Sequence, residues 1–192
     1  FWMVVVASLA LATALVAQQR QRDDDRPPGL PRDPVPDATM INTHEIAGVR
    51  VVTVARDLSH PWGMAFLPDG DMLITERAGR LRMLRDGVLD PEPVSGVPTV
   101  LSQGLAGLMD VALHPDFAEN RLVYLSYARA VTEREGTVAL VRGRLDGMAL
   151  REVEDVFVAE PWGGSTAAAR IAFAPDGLLY MTVGGAFGTN PD

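Results

Sequence analysis

Met64-Ala65-Phe66-Leu67-Pro68-Asp69-Gly70, followed after Asp71 by Met72-Leu73-Ile74-Thr75-Glu76, decides the fold because the chain uses the same construction again. A short apolar run meets a Pro-Asp-Gly corner, where proline presets φ and glycine takes the tight turn, and a second strand follows. Ile171-Ala172-Phe173-Ala174-Pro175-Asp176-Gly177 repeats the corner, and Leu178-Leu179-Tyr180-Met181-Thr182-Val183 repeats the strand after it. A looser copy is Val111-Ala112-Leu113-His114-Pro115-Asp116-Phe117, with Arg121-Leu122-Val123-Tyr124-Leu125-Ser126-Tyr127 behind it. Prolines 68, 115 and 175 lie 47 and 60 residues apart, the length of one propeller blade of ~40–50 residues plus its loops. A small antiparallel sheet cannot bury both faces alone, so such blades pack radially around a channel. The pattern predicts an all-β chain, a β-propeller of which about three blades are present. A sandwich does not account for the recurring corner.

Working outward, Ala78-Gly79 turns the chain into Arg80-Leu81-Arg82-Met83-Leu84, and Asp86-Gly87 turns it again. Upstream, Leu58-Ser59-His60-Pro61 reads as a turn, and Gly48 opens a β-branched strand, Val49-Arg50-Val51-Val52-Thr53-Val54. No helix of ordinary length is needed after residue 41, so 41–192 is taken as the N-terminal part of the propeller. Residues 18–40 are expected to be a linker, since Asp23-Asp24-Asp25 and Pro27, Pro28, Pro31, Pro34 and Pro36 suit neither helix nor ladder. Residues 1–17 carry no charge and end in small residues, which fits a cleaved signal peptide; an uncleaved anchor is the alternative. Either way the domain is expected to be exported, to a periplasm or the medium, with no stable membrane insertion once the signal is removed. The net charge of −8 argues against a nucleic-acid partner. The absence of cysteine excludes disulfides, thiolate nucleophiles and Cys zinc sites within these 192 residues.

Three segments together resemble the glucose/sorbosone dehydrogenase family. They are Pro61 to Gly70 with Leu73-Ile74-Thr75-Glu76-Arg77 and Gly79-Arg80-Leu81; Gly107 to Phe117 with Asn120 to Tyr127; and Arg170 to Phe173 with Pro175-Asp176-Gly177 and Leu179-Tyr180. The resemblance runs from about residue 50 to 184. It implies a six-bladed propeller that binds pyrroloquinoline quinone (PQQ) at the channel mouth, often with calcium beside it. It also implies oxidation of a sugar or related alcohol, with a histidine as general base on the aldose C1 hydroxyl. The calcium ligands and main cofactor clamps implied by the resemblance lie beyond Asp192, and the electron acceptor is left open.

The same alignment shows two departures. Counting back from Arg170, the base-histidine position holds Thr166, in Gly163-Gly164-Ser165-Thr166-Ala167-Ala168-Ala169. A threonine hydroxyl is not a base near neutral pH. The family's glutamine position falls on Leu105, with Gln103 two residues earlier. Gln103, Thr166, Arg170 and Gly185 are therefore the candidate substrate- or cofactor-lining residues, and no catalytic residue is assigned. Two functions stay open: a PQQ-dependent oxidoreductase, and an exported binding module that kept the scaffold and lost the base.

The other polar groups read as structural. His114 sits at a corner between strands, His44 near the domain start, and His60 in a turn near the channel end, where a lining role is the sharper alternative. None has a partner at metal-ligand spacing. Asp69 with Asp71, and Asp116 with Glu119, lack the alternating oxygens of a calcium loop and read as turn carboxylates. Glu76 is expected to pair with Arg77 or Arg80. Gly184-Gly185-Ala186-Phe187-Gly188 lacks the spacing of a phosphate loop, and the resemblance directs it toward the active-site face.

Overall fold

The computed structural model describes residues 37–133, 135–160 and 169–184, in two compact units divided after Thr53. The signal segment 1–17, the linker up to residue 36, Thr166 and Gly185 lie outside the described residues. In the first unit, β1 (Ala38–Ile41) pairs antiparallel with β2 (Val49–Val52). The Asn42 side chain accepts the Gly48 N–H at 2.9 Å, and Gly48 takes φ +75°, where a Cβ is disfavoured. The expected linker to residue 40 is thus corrected at its end. Ala38-Thr39-Met40 follows the last proline and finds Val51 and its neighbours as a ladder partner.

The second unit holds two four-stranded sheets and the start of a third. The first is β3 (Pro61–Phe66), β4 (Met72–Glu76), β5 (Arg80–Arg85) and β6 (Val88–Leu89), paired in that order. The second is β7 (Leu108–Leu113), β8 (Leu122–Ala130), β9 (Gly136–Asp146) and β10 (Ala149–Val158), again paired in chain order. The third begins with β11 (Ile171–Phe173) and β12 (Leu179–Met181). Every ladder among these strands is antiparallel. The four-residue α1 (Phe117–Asn120) is an insertion in the second corner.

The corners are equivalent bond for bond. The Leu67 N–H donates to Asp71 O at 2.8 Å, His114 N–H to Leu122 O at 3.0 Å, and Ala174 N–H to Leu178 O at 2.9 Å. Gly70, Phe117 and Gly177 then donate back to Leu67, His114 and Ala174. Phe66 and Phe173 therefore occupy one repeat position, as the repeated sequence predicts. Among the first strands, β7 lies against both β3 and β11, which is the inner-strand arrangement of a β-propeller.

A blade between two others is buried on both faces, and β8 shows it. Val123, Leu125 and Tyr127 pack toward the first blade, in the cluster with Leu73 and Leu81. Tyr124 packs the other way, with its ring edge-on to Phe173 at 5.1 Å between centroids. That is why Leu122 to Ala128 reads as a nearly continuous apolar run.

Candidate functional site

Gly63 and Asp110 on inner strands, and Arg170 just before the third, occupy one repeat position, spaced by the same 47 and 60 residues as the corner prolines. Each N–H at this position donates to a hydroxyl on the next strand of its own blade: Gly63 to Thr75 at 2.8 Å, Asp110 to Ser126 at 3.0 Å, Arg170 to Thr182 at 3.1 Å. The hydroxyl then reaches the following blade. Thr75 donates to Met109 O at 2.5 Å, and Ser126 to Ala169 O at 3.0 Å. One side-chain oxygen thus ties two inner strands at each junction.

The second junction carries an addition. The Asp110 carboxylate, whose side chain is 4% exposed, accepts the Ile171 N–H at 2.9 Å and its own neighbour Val111 N–H at 3.0 Å. Arg170 Nε lies 3.2 Å from the same oxygen that binds Ile171, and its guanidinium stands 5.7 Å from the centroid of the Trp62 ring. Asp110 also explains Gly63, because a Cβ there would lie 2.6 Å from Asp110 Oδ1. Three blades therefore converge on one buried carboxylate, and the cation it holds is exposed.

The segments leading into the inner strands gather at this end of the sheets. Gln103 is exposed in a turn closed by the Ala106 N–H to Gln103 O at 2.9 Å. Arg77 reaches across to this turn, donating to Gly104 O at 2.6 Å, while its own carbonyl accepts the Leu108 N–H at 2.9 Å. Leu105, at the aligned glutamine position, is 58% exposed. Gln103 and Arg170 both precede inner strands, and no hydrogen bond joins them. Partly buried His60 takes φ +49°, its carbonyl accepts the Arg77 N–H at 3.1 Å, and its ring stands 3.3 Å from the Ser59 hydroxyl.

Glu76 is fully buried and pairs with Arg80 at 2.5 Å, one of the two expected partners, and with Arg82 at 3.5 Å. Adjacent strand residues point to opposite faces, whereas Arg80 is the cross-strand partner of Glu76. Its other oxygen accepts the Ser59 N–H at 2.5 Å. His114 is held by the Asp116 N–H at 3.0 Å, by Asn120 at 2.8 Å and by the Phe173 ring edge, a structural set. Asp69 accepts the Asp71 N–H at 3.2 Å within its turn, and His44 is exposed in the β1–β2 turn. Among the described residues no group of three or more His, Asp or Glu side chains is placed to hold a metal.

On the outer strands, Leu122, Arg142, Arg144, Glu152 and Glu154 line an open hollow of about 260 Å³. It is occupied by pairs: Arg142 with Glu154, and Arg144 with Glu152 at 2.7 Å. The Arg144 hydrogen bond holds the Glu152 carboxyl below the usual glutamate range. Every charge there has a partner, so the hollow offers a ligand nothing. Sequence reasoning passed over Asp110 and Trp62 as functional candidates, although an Asp inside an apolar strand is a signal in itself, since a buried charge requires partners.

The profile of the Glucose / Sorbosone dehydrogenase family matches residues 58–191. An uncharacterised protein of Synechocystis, slr1608, is 44% identical over 154 residues, 74% of this chain and 36% of its own length. The aldose sugar dehydrogenase YliI of Escherichia coli K12 is 38% identical over 143 residues, 72% of this chain and 38% of its own length. A glucose dehydrogenase crystal structure superposes with a TM-score of 0.65 at 37% identity, covering 68% of this chain and 40% of that one. The PQQ-bound aldose sugar dehydrogenase of Streptomyces coelicolor gives 0.56 at 31% identity, covering 71% and 41%. The chain thus spans well under half the length of the proteins it matches.

Proposed function

The chain belongs to the glucose/sorbosone dehydrogenase family, and we propose that the protein is an exported PQQ-dependent oxidoreductase acting on aldoses or related alcohols. The observation that carries the reading is the second junction, where family-matching residues Asp110 and Arg170 present a fixed guanidinium at the loop end of the inner strands. PQQ is a planar quinone with three carboxylates, and it supplies a two-electron acceptor to the reaction. An exposed arginine fork fits such a group. No described cluster suits calcium, so no step here depends on one.

The chain's own part is to position and to exclude water. Arg170 would receive a cofactor carboxylate or a substrate oxygen, and the 101–107 turn, tied down by Arg77, would form part of the rim. Proton removal from the alcohol needs a base. By alignment that place belongs to Thr166, and this substitution favours the second reading, a propeller that binds without turnover. The 58–191 match to a dehydrogenase family, and relatives that are sugar dehydrogenases, weigh toward the enzyme.

The test is reconstitution of the full-length protein with PQQ, followed by dye reduction across a panel of aldoses. Turnover establishes the oxidoreductase; quinone binding without turnover selects the binding module. Installing a base with Thr166→His should then raise a weak rate by up to ~10²–10⁴-fold. Robust wild-type activity unaffected by Thr166→Ala would move the base elsewhere, to His60 or to a histidine beyond Asp192 as first candidates. Export is tested separately: the mature protein from its host should begin near Gln18, and retention of residues 1–17 in a cytoplasmic form would refute it.

A further inference from the structure

We infer that Arg170 is a carboxylate-receiving residue for the quinone, and that Asp110 and Trp62 are the positioning residues that set its guanidinium. The inference rests on the PQQ reading above and goes beyond it by naming which described residues meet the ligand.

The repeat supplies its own control. At the first junction the hydroxyl of Thr75 alone ties the inner strands, and the residue at Asp110's position is Gly63. Packing two blades therefore requires neither a carboxylate nor an arginine. At the second junction both are present, and the carboxylate is already committed: one oxygen to Val111 N–H, the other to Ile171 N–H. It meets Arg170 at Nε, 3.2 Å away. A bidentate pair would use the fork itself in two parallel bonds. Here the two Nη groups have no acceptor among the described residues, and the side chain is 68% exposed. The Trp62 ring, from two blades away, lies under the guanidinium, 5.7 Å from its centroid to the guanidinium carbon. Ser126 holds Ala169 O and Asp110 holds Ile171 N–H, so the main chain is fixed on both sides of Arg170. A planar cation that meets a carboxylate at Nε, with no acceptor at its fork among the described residues, suits a planar carboxylate.

The sign of one substitution separates positioning from simple charge. Asp110→Asn removes a negative charge beside the cation. If charge alone mattered, an anion would bind more tightly. If Asp110 aims the fork, binding weakens. The experiment titrates full-length apo-protein with PQQ, and in parallel with pyridine-2,6-dicarboxylate as a redox-inert probe, for wild type, Asp110→Asn, Arg170→Gln, the double variant, and Arg144→Gln as a charge control on the outer strand. Expected results are about tenfold or greater weakening for each single site variant, no further loss in the double, and no change for Arg144→Gln. Thermal unfolding run alongside identifies any variant that fails to fold; there Arg170→Lys, which keeps the charge and loses the fork, replaces Arg170→Gln, and Asp110→Glu replaces Asp110→Asn with weakening still expected. Unchanged or tighter binding in a folded Asp110 variant overturns the inference. So does unchanged binding in a folded Arg170 variant, which would make the pair a tie between blades. A wild type that binds neither probe overturns it as well. A wild type that binds both and oxidises no sugar leaves this inference standing and removes the oxidoreductase reading.

Discussion

Replacing Thr75 by valine tests the junction on which the whole arrangement depends. Valine keeps the β-branched shape, so strand geometry and volume change little. What is lost is one oxygen that accepts the Gly63 N–H at 2.8 Å and donates to Met109 O at 2.5 Å, at a residue with no solvent exposure. Water has no access to replace either bond. A stranded buried donor costs about 1–3 kcal/mol, and the Met109 carbonyl loses a further bond worth about 1 kcal/mol, so the loss should be about 2–4 kcal/mol. Thr75→Ser keeps the oxygen and deletes one methyl group, at about 1 kcal/mol. Guanidinium unfolding of the full-length protein should therefore rank wild type, Thr75→Ser, then Thr75→Val, with unchanged m-values. Hydrophobicity alone gives the opposite order for the two variants. Amide exchange should also quicken at Gly63. A valine variant at least as stable as the serine variant would refute the tie between blades.

Other perturbations follow from the same geometry. Gly107→Ala places a Cβ 2.0 Å from Arg77 O and should abolish soluble folded protein, whereas Gly70→Ala, at φ +95° with nothing within 4 Å, should cost only about 1 kcal/mol; soluble yield and denaturant midpoints distinguish them. Glu76→Ala leaves Arg82, 11% exposed, without its buried partner and should destabilise by about 3–5 kcal/mol in the same unfolding assay, with Glu76→Gln milder. Arg144 depresses the Glu152 pKa, so the pair's small contribution is present above the ordinary glutamate pKa and fades as pH falls through the depressed value. Arg144→Gln should return the Glu152 titration, followed by NMR, upward to the ordinary range while leaving global stability unchanged within error.

The parts of the fold that the sequence announces are those fixed by local chemistry. A Pro-Asp-Gly corner is specified by its own few residues, so Pro68, Pro115 and Pro175 could be placed without knowing what packs on them, and their equivalence holds bond for bond. The longest strands, β9 and β10, went unassigned for the converse reason. They carry Gly136, Gly143 and alternating charges such as Arg142, Arg144, Glu152 and Glu154, and no corner precedes them. Their signal was the Asp146-Gly147 turn and the outward alternation of Arg142 and Arg144 with buried residues between. Register shifts between Arg151 and Glu154, and between Asp155 and Phe157, break that alternation in β10. The boundary near residue 40 failed differently: composition locates the last proline, but only a partner strand determines where pairing begins.

Arg170 is a candidate from the sequence, whereas the Asp110 and Trp62 contacts around it are not legible there, and the reason is one of dimension. Along the chain, Trp62, Asp110 and Arg170 are separated by dozens of residues, the first two on different strands and Arg170 just before a third. Once the corners give a repeat of 47 and then 60 residues, Gly63, Asp110 and Arg170 fall on one position, which can be read as a column. Down that column the residue types differ where the corner repeats: no side chain, a buried carboxylate, an exposed cation. The absence of a side chain at Gly63 is the space Asp110 needs, and the carboxylate at Asp110 is the anchor Arg170 needs. A repeat protein can vary a column in this way only where the hydroxyl ties of Thr75 and Ser126 already hold the blades together. The departure of one column from its repeat is therefore where the binding experiment above is aimed, with the unfolding control measuring what the same residues contribute to the fold.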